Sequence, residues 1–264
     1  MTGALNIGGL QLSLAYLLLL FPGAIILWYG MGLMKPLVIG IVRMTVQLLL
    51  VGWYLQIIFN LNRPWLNVVW LLVMIGIADV SIVRHCGFRL RRFMMPMFVA
   101  LTTGTLIPLA VFMGLVLVTP DILDARYIIP IAGMILGNCL RADIIGIGRF
   151  YQDVRKNEKV YLQSLAYGAS RGEAIRPFIV EAFQAALTPT IANMATIGLV
   201  SLPGMMTGVI LGGTNPETAI KYQIAIMLSI LSGTAITLFL AVRLTARRSF
   251  DAYGILYKDI FAVT

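Results

Sequence analysis

Charge is what this sequence has least of. Asp, Glu, Lys and Arg make up 12% of its 264 residues, against 59% apolar ones, and a chain of that balance cannot fold in water around one core with a polar shell to cover it. Acidic residues are the scarcer sign, 11 against 20 Lys and Arg, for a formal charge of +9. With one histidine and two cysteines, neither a dense His/carboxylate metal site nor a disulfide framework can be built. Cys86 and Cys139 lie far apart, form no CxxC and are expected to be free thiols. His85, beside Arg84, reads as an interfacial polar residue. No GxxxxGK[ST] phosphate loop occurs, so nucleotide is not bound in that way. His-Glu-x-x-His, a nucleophile elbow and paired Asp-rich motifs are also missing, which counts against an intramembrane enzyme.

What the chain has instead is long apolar runs. About 20 residues of helix cross ~30 Å of hydrocarbon, and seven stretches reach that length: 12–32, 36–59, 65–83, 93–118, 127–147, 183–211 and 222–242. Period-two alternation is absent, which disfavours a barrel. The first run is too long for a signal-peptide core and has no basic residue before it, so it counts as a mature span. The expected fold is all-α, a polytopic membrane protein of about seven transmembrane helices, with 1–264 as a single transmembrane domain. Placing the N-terminus outside and the C-terminus in the cytoplasm leaves only Arg63, Arg126 and Lys221 outside, and 17 of the 20 basic residues inside, as the positive-inside rule requires. Topology and anionic lipid thus account for the positive charge, and no nucleic-acid surface is needed.

The longest polar interval, about 149–176, still carries helical periodicity. Tyr161, Leu162, Leu165 and Ala169 form one stripe, a turn follows at Gly168-Ala169-Ser170, and Ile175, Phe178, Ile179, Ala182 and Ala186 lead back to the membrane. Such a projection suits a protein partner, and equally a helix lying flat at the lipid interface. YLQSLAYGAS at 161–170 resembles the EAA loop of ABC-transporter permeases, whose coupling helix seats in the ATPase subunit. Gly168 falls on that motif's glycine, with Leu162, Gln163 and Ser164 at its Glu-Ala-Ala positions.

Within the sixth run, LVSLPGMMTG at 199–208 places Pro203, Gly204 and Gly208 inside hydrocarbon, where backbone groups released by a break need partners in protein or a wet cavity. Ser201, Met205 and Met206 lie near this break. A thioether is a soft, adaptable ligand for a passing metal, so Met205 and Met206 are the candidate metal contacts. The other reading is close helix crossing with packed methionines. Polar residues in the spans add Gln47, one turn after Arg43, and Asn138, one turn after Met134, to the candidate transport pathway. Asp79 and Glu181 could attract a cation or meet headgroups or an arginine at the cytoplasmic boundary. Arg141 and Asp143 leave open whether the fifth helix runs on into the cytoplasm or snorkels at its end.

Three long segments, VRMTVQLLLVGWYLQIIF at 42–59, IIPIAGMILGN at 128–138 and TIGLVSLPGMMTGVILGGTNPETAIKYQI at 196–224, closely resemble the FetB-like permeases. That family includes bacterial iron exporters and plant membrane proteins of aluminium tolerance. The resemblance implies a multi-pass permease subunit of the inner (plasma) membrane, paired with a separate FetA-like ABC ATPase. ATP and Mg would then sit on that partner, with no cofactor bound by this chain. Seven spans without an internal repeat imply a permease homodimer. The resemblance implies iron or another metal ion as cargo, with nucleotide sugar, through the plant relatives, as the alternative; a passive channel is a further reading.

Overall fold

The structure is a computed structural model that describes residues 7–117, 121, 123–251 and 253–261. The chain folds as an all-α polytopic membrane protein; among the described residues the only β features are isolated bridges. In order, the helices are α1 (Gly9–Ala15), joined through a 3-10 turn (Tyr16–Leu19) to α2 (Leu20–Trp28), α3 (Met34–Leu61), α4 (Pro64–His85), α5 (Leu90–Val111), α6 (Ala125–Lys156), α7 (Glu158–Ala166), α8 (Arg171–Thr196), α9 (Gly204–Leu211) and α10 (Pro216–Ser249). A π-helical turn, Phe112–Val116, extends α5.

Among the described residues, six helical stretches are long and apolar enough to cross a membrane: Gly9–Trp28, Met34–Leu61, Pro64–His85, Leu90–Val116, Ala125–Lys156 and Pro216–Ser249. They correspond to six of the seven expected spans, although Val118, the expected end of the fourth, lies outside the described residues. The remaining span, 183–211, is not one helix. It is α8 followed by a non-helical stretch and the eight-residue α9. Moreover, α8 begins at Arg171, with charged residues in its first turns. At Arg141 and Asp143 the helix does not end: α6 is one helix of 32 residues, about 48 Å long, well beyond the ~30 Å of a hydrocarbon core.

Small residues set the central packing. Helix α10 lies along α5 and α6, and α6 also packs against α4 and α8. At the α5–α10 crossing Gly104 and Gly233 face each other so closely that a Cβ on Gly104 would stand 2.8 Å from the Thr237 backbone nitrogen. Such approach lets van der Waals contact bind helices where lipid offers no hydrophobic drive. Gly146 of α6 plays the same part against Leu238 and Ala186. By contrast, α3 stands nearly alone, with Ile58 its only buried residue.

The two ends of the bundle differ. At one end Asn62, in the left-handed conformation after α3, accepts from the Ala125 amide at 3.0 Å, and Asn67 donates to the Leu123 carbonyl at 2.8 Å. Arg63 and Arg126, two of the three basic residues assigned outside, flank these contacts. At the opposite end the tail passes under the α4–α5 turn, where the Arg89 amide donates to the Ile260 carbonyl at 2.9 Å and Arg92 pairs with Asp259 at 2.8 Å. Phe88 and Phe93 stack there, Tyr151 meets both edge-on and Phe261 lies tilted against Phe88, and Tyr151 donates to Ser249 Oγ at 2.9 Å.

Candidate functional site

At the basic end, α7 and the first turns of α8 form the projection expected from the sequence. Glycine makes the turn: Gly168 has φ +93°, with open space around its α-carbon, a conformation that only glycine adopts freely. Ser170 then caps α8 in a capping box. Glu173 accepts from the Ser170 amide at 2.8 Å and from its hydroxyl at 2.7 Å, and the Glu173 amide returns a bond to Ser170 Oγ at 3.3 Å, satisfying donors that a helix start leaves free. The Ser170 hydroxyl and amide hold the Glu173 carboxyl below the usual carboxylate range.

The stripe of α7 divides into two roles. Tyr161 is 1% exposed; its hydroxyl donates to the Gly254 carbonyl at 2.6 Å, and its ring meets Phe178 and Phe250. Burial raises its phenol above the ordinary value. Leu165 also packs inward, close to Gly254. These two side chains therefore seat α7 on the tail and on α8. The outward surface consists of Val160, Leu162, Tyr167 and Gly168, with Ala169 half-buried. Tyr167, 82% exposed, was not singled out in the sequence because it falls off the apolar stripe.

The second feature is the interruption between α8 and α9. Gly198, at φ +87°, turns the chain, and its amide donates to the Ser201 carbonyl at 2.9 Å. Pro203 is the N-cap of α9, where its missing N–H leaves no helical bond unmade. The Pro203 carbonyl accepts from both the amide and the hydroxyl of Thr207, at 3.0 and 3.1 Å. From Ala186, level with Gly146 and Leu238, α8 climbs about 15 Å to its end, whereas α10 runs about 33 Å from Leu238 to its outer start. The interruption thus lies partway along α10. Met205 packs against the core, Met206 is half-buried, and Ser201 and Gly204 are exposed.

The remaining pathway candidates are not gathered at that interruption. Gln47 lines a separate cavity of about 970 Å³ between α3, α4 and α6. Met134 and Asn138 lie on a different stripe of α6 from the residues that line this cavity, and the Asn138 amide donates to the Met134 carbonyl at 2.8 Å. No group of three or more His, Cys, Asp or Glu able to hold a metal occurs among the described residues. Cys86 and Cys139 are free thiols. Glu181 meets Arg149 at 3.6 Å, one of the alternatives open to it. Asp79 is buried with Oδ1 unpartnered and forms no ion pair among the described residues. Asp143 is fully buried beside the small-residue crossing, a placement no linear pattern announces.

Comparison with known proteins follows the same outline. Residues 9–250 match the uncharacterised protein family UPF0014. The chain is 33% identical over 242 residues to the probable iron export permease protein FetB of Escherichia coli (strain K12), covering 91% of this chain and 92% of that one. It is 32% identical over 230 residues to the UPF0014 membrane protein slr1647 of Synechocystis, covering 87% and 89%. With Protein ALUMINUM SENSITIVE 3 of Arabidopsis thaliana it shares 32% identity over 210 residues, covering 77% and 74%. No solved structure matches the chain.

Proposed function

This chain belongs to the UPF0014 family of membrane proteins, and from that premise we propose that it is the permease subunit of an ATP-binding cassette exporter in the inner (plasma) membrane. The observation that carries the reading is the capped glycine-turn projection at the basic end, with Leu162 and Tyr167 on its outer surface and Tyr161 and Leu165 fastening its inner one. A FetA-like ATPase, holding ATP and Mg, would grip that outer surface. The absence of a phosphate loop in this sequence supports a separate engine.

Mechanically, α8 is the lever. It runs without a break for 26 residues, about 39 Å, from the coupling turn to the interruption at Gly198. Closure of the ATPase pushes the turn, and α8 carries the displacement to the non-helical interruption beside Met205 and Met206. Two copies around a shared axis would complete the pathway. Switching access from 1:99 to 99:1 takes about 5.5 kcal/mol of differential binding, which the partner's nucleotide cycle must supply.

The cargo assigned is iron or another soft-to-borderline metal, met transiently by Met205 and Met206 rather than held in a cage; nucleotide sugar is the alternative cargo. Co-reconstitution with the ATPase in inside-out vesicles tests both. ATP-driven metal uptake that falls several-fold in Met205→Ala/Met206→Ala, with ATPase capture intact, supports the reading. Uptake unchanged by those substitutions removes the methionines from the pathway, and uptake without any ATPase refutes the coupled pump.

A further inference from the structure

The cavity between α3, α4 and α6 is amphipathic along its length. Its upper walls are apolar, with Leu50, Leu55, Trp70, Val73, Met74 and Ile77, while Arg43, Arg84 and His85 lie toward the basic end. Helix α3 joins the bundle only near its far end, through Ile58, the Tyr54–Trp70 ring contact at 4.3 Å and the Asn62–Ala125 hydrogen bond. Below that point it diverges from α4 and α6, and the wedge between them opens.

Neither the Arg43 nor the Arg84 guanidinium has an ion pair or hydrogen-bonding partner among the described residues. Arg43 lies about 13 Å along α3 from its start, a depth at which an unpaired guanidinium is costly and calls for an anion. A second copy of the chain has little negative charge to offer there. At the basic end Asp153, Glu181 and Asp259 are already paired with Arg149 and Arg92. Glu173 and Asp251 accept from backbone amides, Asp79 and Asp143 are buried, and Glu158 at the start of α7 is left as a single carboxylate without a partner among the described residues. An occupant must therefore be apolar above and anionic below, and must reach the wedge from the cytoplasmic leaflet.

We propose that this wedge binds one anionic phospholipid, its acyl chains against the apolar walls and its phosphate on Arg43 and Arg84. The lipid supplies the packing that α3 lacks. The site is separate from the interruption beside Met205 and Met206, and shares with the pathway candidates only Gln47.

The test is native mass spectrometry of the full chain released from nanodiscs of equal phosphatidylglycerol and phosphatidylcholine. At roughly fivefold per cation near an anionic surface, wild type is expected to retain phosphatidylglycerol over phosphatidylcholine by about 25-fold. Arg43→Gln/Arg84→Gln should fall to near parity and Arg43→Lys/Arg84→Lys should keep most of the preference. Arg91→Gln/Arg248→Gln, which removes as much charge outside the wedge, should leave it unchanged. Leu50→Trp/Met74→Trp, which fills the wedge, should lower retention of both lipids. Equal retention by wild type and Arg43→Gln/Arg84→Gln overturns the proposal. So does displacement of the lipid by inorganic phosphate alone, which would mark a free-anion site, or a lipid-free dimer, which would mark a second copy as the occupant.

Discussion

The α5–α10 crossing offers a sharp test of how this bundle is held together. In Gly104→Ala the new methyl would meet the Thr237 backbone nitrogen at 2.8 Å, the Gly233 carbonyl oxygen at 3.0 Å and the Thr237 methyl closer still. The methyl can rotate away, but two of these atoms are backbone and cannot, so α10 must move off α5. Overpacking of this kind costs about 3 kcal/mol, offset by about 1 kcal/mol from the better helix propensity of alanine, for a net loss of about 2 kcal/mol. At 2–4 °C per kcal/mol for a chain of this size, that lowers the melting temperature by about 4–8 °C. Gly52→Ala is the control. Gly52 lies in exposed α3 with nothing within 4 Å of an added Cβ, so the propensity gain stands alone and stability should rise slightly. Tryptophan-fluorescence melts of the purified proteins in one detergent measure both. If Gly104→Ala melts at or above wild type, close backbone approach is not what binds these helices.

Tyr161→Phe removes the bond to the Gly254 carbonyl at 2.6 Å; the loss of about 1–3 kcal/mol should appear as faster hydrogen exchange in α7 and 250–261, and transport per ATP should fall more than ATPase capture does. Gly168→Ala forces a side chain into the left-handed region, at about 1–2 kcal/mol, and should weaken ATPase co-purification without lowering the overall melting temperature; unchanged capture would take the turn out of the interface. Because the folded pKa of Glu173 is depressed, the capping box contributes its stability above the ordinary carboxylate pKa and loses it as pH falls through the lower, folded value. Amide exchange in the first turn of α8 should rise across that acid window in wild type and be flat in Glu173→Gln.

Hydrophobic run length and the distribution of basic residues determined, from sequence alone, the helical class, six of the spans, the two ends of the bundle and the glycine turn at Gly168. These are local properties: a run either spans hydrocarbon or does not, and only glycine takes that turn freely. LVSLPGMMTG likewise announced an interruption, because proline and glycine act through their own backbone. The division of the α7 stripe was not legible, since Tyr161 and Leu162 are neighbours of similar character, and only the tail residue Gly254, 93 positions on from Tyr161, turns one of them inward. The burial of Asp79 and Asp143, the Gly104–Gly233 approach and the wedge holding Gln47 and Arg43 arise the same way. Each depends on which faces of distant helices meet, and that is fixed by the packing of side chains remote in sequence, which no single stretch encodes.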